Sequence, residues 1–188
     1  MPPIAVVSRK GEDRVRAGHP WIYRSDVVHA DAAPGDVVLV RSDRDRPVGW
    51  ALWSEASQIS LRMLTRAVLE GRAAAHRRPH PSADSGPPGD DDLDRAWLLP
   101  RIRAAIDYRR ALRIDATAYR LVHGEADGLP ALIVDRYDDV LVVQTLCQGM
   151  DRRIALVVRL LVEELAPRGV LARNDPKVRR LEGLPEQV

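Results

Sequence analysis

The stretch from residue 70 to residue 94, EGRAAAHRRPHPSADSGPPGDDDLD, constrains the fold of this chain more than any other feature. It is rich in Pro, Gly, Ser, Asp and Arg, and its few apolar residues cannot bury enough surface to offset the entropy lost on ordering. The more apolar segments on either side must therefore build separate cores. The sequence predicts two folded domains, residues 1–69 and 98–188, joined by a flexible linker or insert at residues 70–97.

Residues 1–69 have the pattern of a small β-barrel. Short apolar runs alternate with turn residues, and they predict strands at residues 4–8, 35–42, 47–53 and 59–64. Gly49 lies inside one of these runs, which suggests a bulge or the close approach of another backbone segment. Phe is absent from the chain, so the core must be built mainly from Val, Leu, Ile and Ala.

Residues 98–188 mix helical and strand periodicity. Apolar stripes predict helices at residues 98–113, with Pro100 in the first turn, and within 150–167, where Ile154, Val157, Val158, Leu161, Val162 and Leu165 form the stripe. Runs of β-branched residues predict strands at residues 119–123, 131–135, 140–146 and 169–175. The fold class is therefore α+β: a small β-barrel followed by a mixed α/β domain. Because the tail has no evident closing element, we expect this second domain to be truncated.

Five carboxylates lie within HGEADGLPALIVDRYDD, residues 123–139: Glu125, Asp127, Asp135, Asp138 and Asp139. Converging carboxylates hold a metal or act as acid and base, as in a metal-dependent nuclease. Four of the five, however, fall in the two connections of a predicted strand meander, one at each end of the middle strand. Five residues of strand separate those connections by roughly 15 Å, and Asp127-Gly128 is also a turn dipeptide. The turn interpretation is favoured.

Motifs for nucleotide, cofactor or metal binding are absent from the sequence. It contains no GxGxxG, GxxxxGK[ST], HExxH, CxxC or GxSxG pattern. His76 and His80 are interpreted as part of the solvated linker rather than as metal or RNA ligands. Cys147 follows an apolar strand without a paired histidine and is expected to be a small core or rim residue rather than a nucleophile. No signal peptide and no run of about 18 apolar residues is present, so a cytoplasmic location is expected.

A basic patch with interleaved aromatic residues surrounds GHPWIY, residues 18–23. Arg14, Arg16, His19 and Arg24 are the candidate RNA contacts, because arginine forks suit phosphates and aromatic rings stack on bases. The alternative is that Trp21 and Tyr23 belong to the core and the arginines to a solvated face. Of the 29 basic residues, only Lys10 and Lys177 are lysines, which GC-rich coding would also produce. The formal net charge of +2 is therefore only a mild indication of nucleic-acid binding.

Several long segments resemble the S-adenosylmethionine-dependent ribosomal RNA large-subunit methyltransferases of the RlmI type. AGHPWIYRSDV (residues 17–27), PGDVVLV (34–40) and GWALWSEASQISLRML (49–64, with Ser57, Ile59 and Arg62) are similar to that family's opening segments. AYRLVHGEADGLPALIVDRYDDVLVVQ (118–144) is the most specific match, and GVLARND (169–175) and EGL (182–184) continue it. Two departures are the long stretch at residues 70–94 and Asp139, which stands where the family more often has a glycine-containing turn.

The resemblance implies an RNA-binding PUA domain at residues 1–69 and a central EEHEE-type domain from residue 98. It implies that the complete protein transfers a methyl group from S-adenosylmethionine to C5 of a cytosine in large-subunit rRNA. The family's methyl-donor and catalytic segments have no counterpart in these residues, so the methyltransferase domain is expected to be missing. No catalytic, cofactor-binding or metal-binding residue is assigned.

The alternative function is a stand-alone PUA-type RNA-binding protein without catalytic activity. In either case the expected partner is RNA, with no membrane. The sequence is also compatible with a homo-oligomer.

Overall fold

The computed structural model describes residues 2–66 and 91–188. The chain divides into two compact units, Met1–Gly89 and Asp90–Val188. Most of the expected linker, including His76 and His80, lies outside the described residues. At its end the linker prediction is wrong, because residues 91–97 already belong to a helix.

The N-terminal unit is a six-stranded sheet with one short helix. Its elements are β1 (Ile4–Val7), α1 (Arg9–Arg16), β2 (Trp21–Tyr23), β3 (Val27–Asp31), β4 (Val37–Ser42), β5 (Pro47–Trp53) and β6 (Ile59–Thr65). The strand order is β2-β6-β5-β4-β1-β3. Only β1 and β4 pair in parallel; the other neighbours are antiparallel. The core includes Val7, Val15, Ile22, Val38, Val40, Leu61 and Met63.

Gly49 allows two backbone segments of this sheet to approach closely. Its φ is +154°, and a Cβ atom at this position would lie 2.2 Å from the carbonyl oxygen of Thr65. The β5–β6 register also shifts between Trp50 and Ala51. The expectation from Gly49 in the sequence is therefore confirmed.

Helix α1 was missed by the sequence analysis because its only buried aliphatic residue is Val15. Ser8 caps its start by accepting a hydrogen bond from the backbone N–H of Gly11 at 3.3 Å. Much of its buried face is instead supplied by Glu12 and Gly11. Because the charged Glu12 lies on the buried face, the apolar residues of this segment show no helical periodicity.

The C-terminal unit is a four-stranded mixed sheet with helices. Its elements are α2 (Asp91–Ala111), β7 (Ala118–His123), β8 (Leu132–Tyr137), β9 (Val140–Thr145), α3 (Gln148–Asp151), α4 (Ile154–Leu165) and β10 (Gly169–Ala172). The order is β10-β9-β8-β7, with β10 parallel to β9 and the other pairs antiparallel. Helix α4 forms the crossover that a parallel pair requires. The predicted α+β class and strand meander are confirmed.

Both helix predictions need correction in detail. Helix α2 begins at Asp91, which places Pro100 inside the helix rather than in its first turn. The buried residues of α4 are Leu156, Val157, Leu160 and Leu161, whereas Val162 is exposed. The predicted apolar stripe is rotated relative to the buried face of the helix. Most positions of this helix are aliphatic, so periodicity alone does not select the buried ones.

Candidate nucleic-acid interface

Three rings meet where α1 turns into β2. The His19 ring centre lies 5.9 Å from that of Trp21 in an edge-on arrangement and 6.0 Å from that of Tyr23. All three side chains are only partly buried. Nδ1 of His19 lies 3.0 Å from the carbonyl oxygen and 3.2 Å from the backbone nitrogen of Trp21, so Nε2 is the ring nitrogen that can face an external partner. Part of each ring is therefore on the surface, where a base could stack.

Arg14 extends this aromatic group with a charge. Its guanidinium carbon lies 5.0 Å from the centre of the Tyr23 ring. Its Nε donates to the buried carboxylate of Asp26 at 3.0 Å, and Lys10 approaches the same carboxylate at 3.8 Å. Arg14 is thus held in place by its acid partner, and much of its charge is compensated.

Arg16 points into a different ion-pair group. It bonds to Glu12 at 2.7 Å, and Arg46 reaches the other oxygen of the same carboxylate at 2.9 Å. Burial raises the pKa of the Glu12 carboxyl, but the hydrogen bond and charge of Arg16 and the charge of Arg46 outweigh this and leave the pKa below its usual value. Arg16 therefore acts mainly as a structural counter-ion to Glu12.

Arg24 is the most available of the predicted contacts. It opens the 3-10 turn Arg24–Asp26 directly after β2, and it is exposed. Its backbone N–H donates to the carbonyl of Gln58 at 2.9 Å. Its side chain forms no ion pair with any residue in the described ranges. Among the described residues, the Arg24 guanidinium therefore has no acidic partner, and it follows Tyr23 directly in sequence.

Arg66 joins this surface although the sequence analysis did not select it. It follows β6, and its Nη2 donates to the carbonyl of Gly18 at 2.7 Å. Gly18 and Arg66 are 48 positions apart, so no local pattern could have placed them together. We call Arg14, His19, Trp21, Tyr23, Arg24 and Arg66 the aromatic–arginine surface.

The acidic segment of residues 123–139 is dispersed rather than convergent. Three of its acids are paired with separate arginines: Asp127 with Arg109, Asp135 with Arg120 and Asp139 with Arg168. In the part of the chain that the structure describes, no group of three His, Cys, Asp or Glu side chains could hold a metal ion. The metal-dependent nuclease hypothesis is not supported, and the turn interpretation fits the geometry.

Two details of this segment were not expected. Asp127 is a structural acceptor: it pairs with both terminal nitrogens of Arg109 at 2.5 and 2.8 Å and accepts the N–H of His123 at 2.6 Å. In the β8–β9 hairpin the positive φ of +55° belongs to Asp138 and not to Asp139. Asp accepts this conformation more readily than most residues.

Cys147 is fully buried at the start of α3, with 0% exposure. A nucleophile must reach its substrate, and this sulfur has no exposed surface. The interpretation of Cys147 as a core residue fits this burial.

The N-terminal unit is similar to a known domain family. The profile of the family described as "PUA-like domain" matches residues 5–66. Residues 5–66 form a PUA-like domain. This match contains all six residues of the aromatic–arginine surface.

Curated relatives cover most of the chain. It is 34% identical over 171 residues to a ribosomal RNA large subunit methyltransferase I from Shewanella amazonensis, covering 89% of this chain and 38% of that protein. It is 30% identical to the protein of the same name from Vibrio cholerae, covering 98% of this chain and 42% of the relative. The family resemblance predicted from the sequence is confirmed. The chain spans about two fifths of the length of these relatives.

Solved structures agree at the level of fold. A Streptococcus mutans protein described as a SAM-dependent methyltransferase superposes with a TM-score of 0.63 at 15% identity, covering 85% of this chain and 37% of that one. A methyltransferase structure in complex with SAH gives a TM-score of 0.66 at 14% identity, covering 89% of this chain and 40% of its own. Within the described ranges, no helix is long and apolar enough to cross a membrane.

Proposed function

We propose that this chain binds large-subunit ribosomal RNA and positions it for methylation by a complete S-adenosylmethionine-dependent methyltransferase. The observation that carries this proposal is the aromatic–arginine surface on a PUA-like domain, in a chain related to rRNA methyltransferases. Rings that stack on unpaired bases, next to arginines that meet phosphates, are the usual means of binding structured RNA. We assign RNA contact to Arg14, His19 and Arg24, and a supporting position to Arg16.

The domain boundaries follow the same proposal. Residues 1–69 act as the RNA-binding domain, and the C-terminal unit, from the start of α2 at residue 91 to residue 188, acts as the central EEHEE-type scaffold. The complete protein works in the cytoplasm, on C5 of a cytosine.

The methyl donor does not fit the parallel strand ends of this chain. In α/β folds small ligands commonly bind at the carboxyl ends of parallel strands, here β9 and β10. Those ends are filled by Asn174 and Arg179, both with 0% exposure and both bonded to Thr145. When bound by the complete protein, S-adenosylmethionine supplies the methyl group. Because Asn174 and Arg179 occupy these strand ends, we assign none of the described residues to the binding of S-adenosylmethionine.

Fluorescence anisotropy with a labelled large-subunit rRNA transcript tests the proposal. The 188-residue chain should bind, and log K should fall linearly with log salt concentration because cations displaced from phosphates are released. An RNA duplex of equal length serves as the control and should bind more weakly, since its bases cannot stack on the rings. Absence of salt-dependent binding to the transcript would contradict the proposal.

Calorimetric titration with S-adenosylmethionine tests whether the residues of this chain bind the methyl donor. No heat of binding is expected from this chain alone. Saturable binding would show that the methyl-donor site uses residues of this chain after all.

A further inference from the structure

Helix α2 carries five arginines, and one of them differs from the rest in its electrostatic environment. Four form ion pairs: Arg95 with Glu163, Arg103 with Glu164, Arg109 with Asp127 and Arg110 with Asp107. Arg101 forms no ion pair with any residue of ranges 2–66 and 91–188. It is the exception on a helix where pairing with an acid is the rule.

Arg101 is fixed in place despite the lack of an acid. Its guanidinium carbon lies 4.5 Å from the centre of the Trp97 ring, and its Nη1 donates to the carbonyl of Trp97 at 2.9 Å. Burial lowers the pKa of Arg101 to about 10, so the side chain remains charged at neutral pH while it has lost part of its hydration. The indole Nε1 of Trp97 is buried and also has no acceptor in the described part of the chain. The guanidinium of Arg101 therefore offers N–H donors that no acid in the described part of the chain receives, whereas the buried indole N–H is closed to an external partner.

The backbone of Gly128 lies beside the side chain of Arg101. A Cβ atom at Gly128 would stand 3.6 Å from Nε of Arg101, in contact with it. The φ of Gly128 is +67°, a conformation that favours glycine. The turn after Asp127 thus passes Arg101 without placing a side chain against it.

We propose that Arg101, stacked on Trp97, is a phosphate-binding residue that contacts the backbone of the RNA substrate. This inference rests on the proposed function. A planar guanidinium held against an aromatic ring presents a rigid fork that matches two phosphate oxygens. An unpaired, partly dehydrated cation is unfavourable in the free protein, and an arriving phosphate would compensate it. A phosphate is favoured over a protein carboxylate because the relatives of this chain are named for rRNA as substrate.

The test compares Arg101→Gln with Arg103→Gln in the full 188-residue chain, using the same labelled rRNA transcript. Arg103 lies two positions away and is neutralised by Glu164. Arg101→Gln should bind roughly tenfold more weakly at low salt, as expected for one lost charge-assisted contact. The slope of log K against log salt should fall by about one phosphate contact, roughly 0.7–0.9. Arg103→Gln should leave the slope unchanged.

A thermal melt separates a binding role from a structural one. Since Arg101 carries an uncompensated charge, Arg101→Gln should unfold at the same temperature as the parent chain or at a higher one. A lower melting temperature together with unchanged RNA affinity would overturn the inference and make Arg101 a structural residue. An unchanged slope of log K against log salt in Arg101→Gln would also overturn the inference. A protein carboxylate would then be the remaining candidate partner of Arg101. If the parent chain itself binds no RNA, the proposed function fails, which is distinguishable because the parent is measured first.

Discussion

Two buried ionic centres, one around Glu12 in the N-terminal unit and one around Arg179 in the C-terminal unit, have opposite signs. In the PUA-like domain the buried charge is the Glu12 carboxylate, whose side chain is 3% exposed, while Arg16 and Arg46 stay 45% and 53% exposed. In the C-terminal unit the buried charge is the Arg179 guanidinium, with 0% exposure, paired with Asp151 at 24%. The Glu12 centre keeps two basic side chains at the surface, whereas the Arg179 centre buries its basic side chain.

The difference shows why arginine content is a poor guide to RNA binding. Arg179 donates to the carbonyls of Thr145 and Pro185, and so fastens the C-terminal tail to the sheet. Its guanidinium is fully buried and bonds to the protein through Nε and Nη1, so it is closed to an external phosphate. Arg24, by contrast, lies on the surface beside Tyr23 without an ion-pair partner in the described residues. A surface arginine such as Arg24 can meet a phosphate, whereas a fully buried one such as Arg179 cannot.

Arg179→Met should give the largest loss of stability in the comparison. It leaves Asp151 without its main partner and removes the donor to the carbonyls of Thr145 and Pro185, so the C-terminal unit should lose about 3–5 kcal/mol. Hydrogen exchange followed by mass spectrometry would resolve this loss from the PUA-like domain, which should not change. The matched control is Arg180→Gln, whose solvent-screened pair with Glu186 should contribute little to stability. Equal losses of stability from Arg179→Met and Arg180→Gln would contradict the structural role given to the buried Arg179.

Asp127→Asn should come next, with a loss of about 2–3 kcal/mol in the C-terminal unit. The substitution preserves shape but removes the charge that faces Arg109, in a pair whose side chains are only 10% and 11% exposed. Asp135→Asn is the control, since the partner Arg120 is 44% exposed. Urea denaturation followed by hydrogen exchange and mass spectrometry reports on this unit separately from the N-terminal one. A larger effect at Asp135 than at Asp127 would contradict the structural role given to Asp127.

The sequence was most informative where one local pattern dominates. Alternating apolar residues predicted the β7–β8–β9 meander, and the glycine within a strand predicted the close approach at Gly49. It failed where charges are buried, because Glu12 on the inner face of α1 resembles a residue of a solvated helix. Arg66 and Arg101 were also missed, since their environments depend on residues distant in sequence or on the lack of a partner in space.

Glu12 should make the PUA-like domain sensitive to acid. The pKa of Glu12 lies below its ordinary value of 4.5 in the folded state, so the unfolded chain takes up the proton first as the pH falls. The stabilisation is therefore complete above about pH 4.5 and is lost as the pH falls through the folded-state pKa. Glu12→Gln should lose about 1–2 kcal/mol at pH 7 and show a flatter stability profile in the acid range. Thermal melts from pH 7 to pH 3 check this, and parallel profiles for the two proteins would contradict it.

The smallest expected effect concerns RNA affinity, and it separates two arginines that the sequence treated alike. Arg24→Gln should weaken binding of the rRNA transcript about threefold to fivefold and lower the salt slope by roughly 0.7–0.9, because one phosphate contact is lost. Arg16→Gln should leave the slope unchanged, since its charge is already matched by Glu12 in the free protein. Anisotropy titrations at four salt concentrations would measure both. If Arg16→Gln lowers the slope and Arg24→Gln does not, the RNA follows α1 rather than β2, and the aromatic–arginine surface is not the binding face.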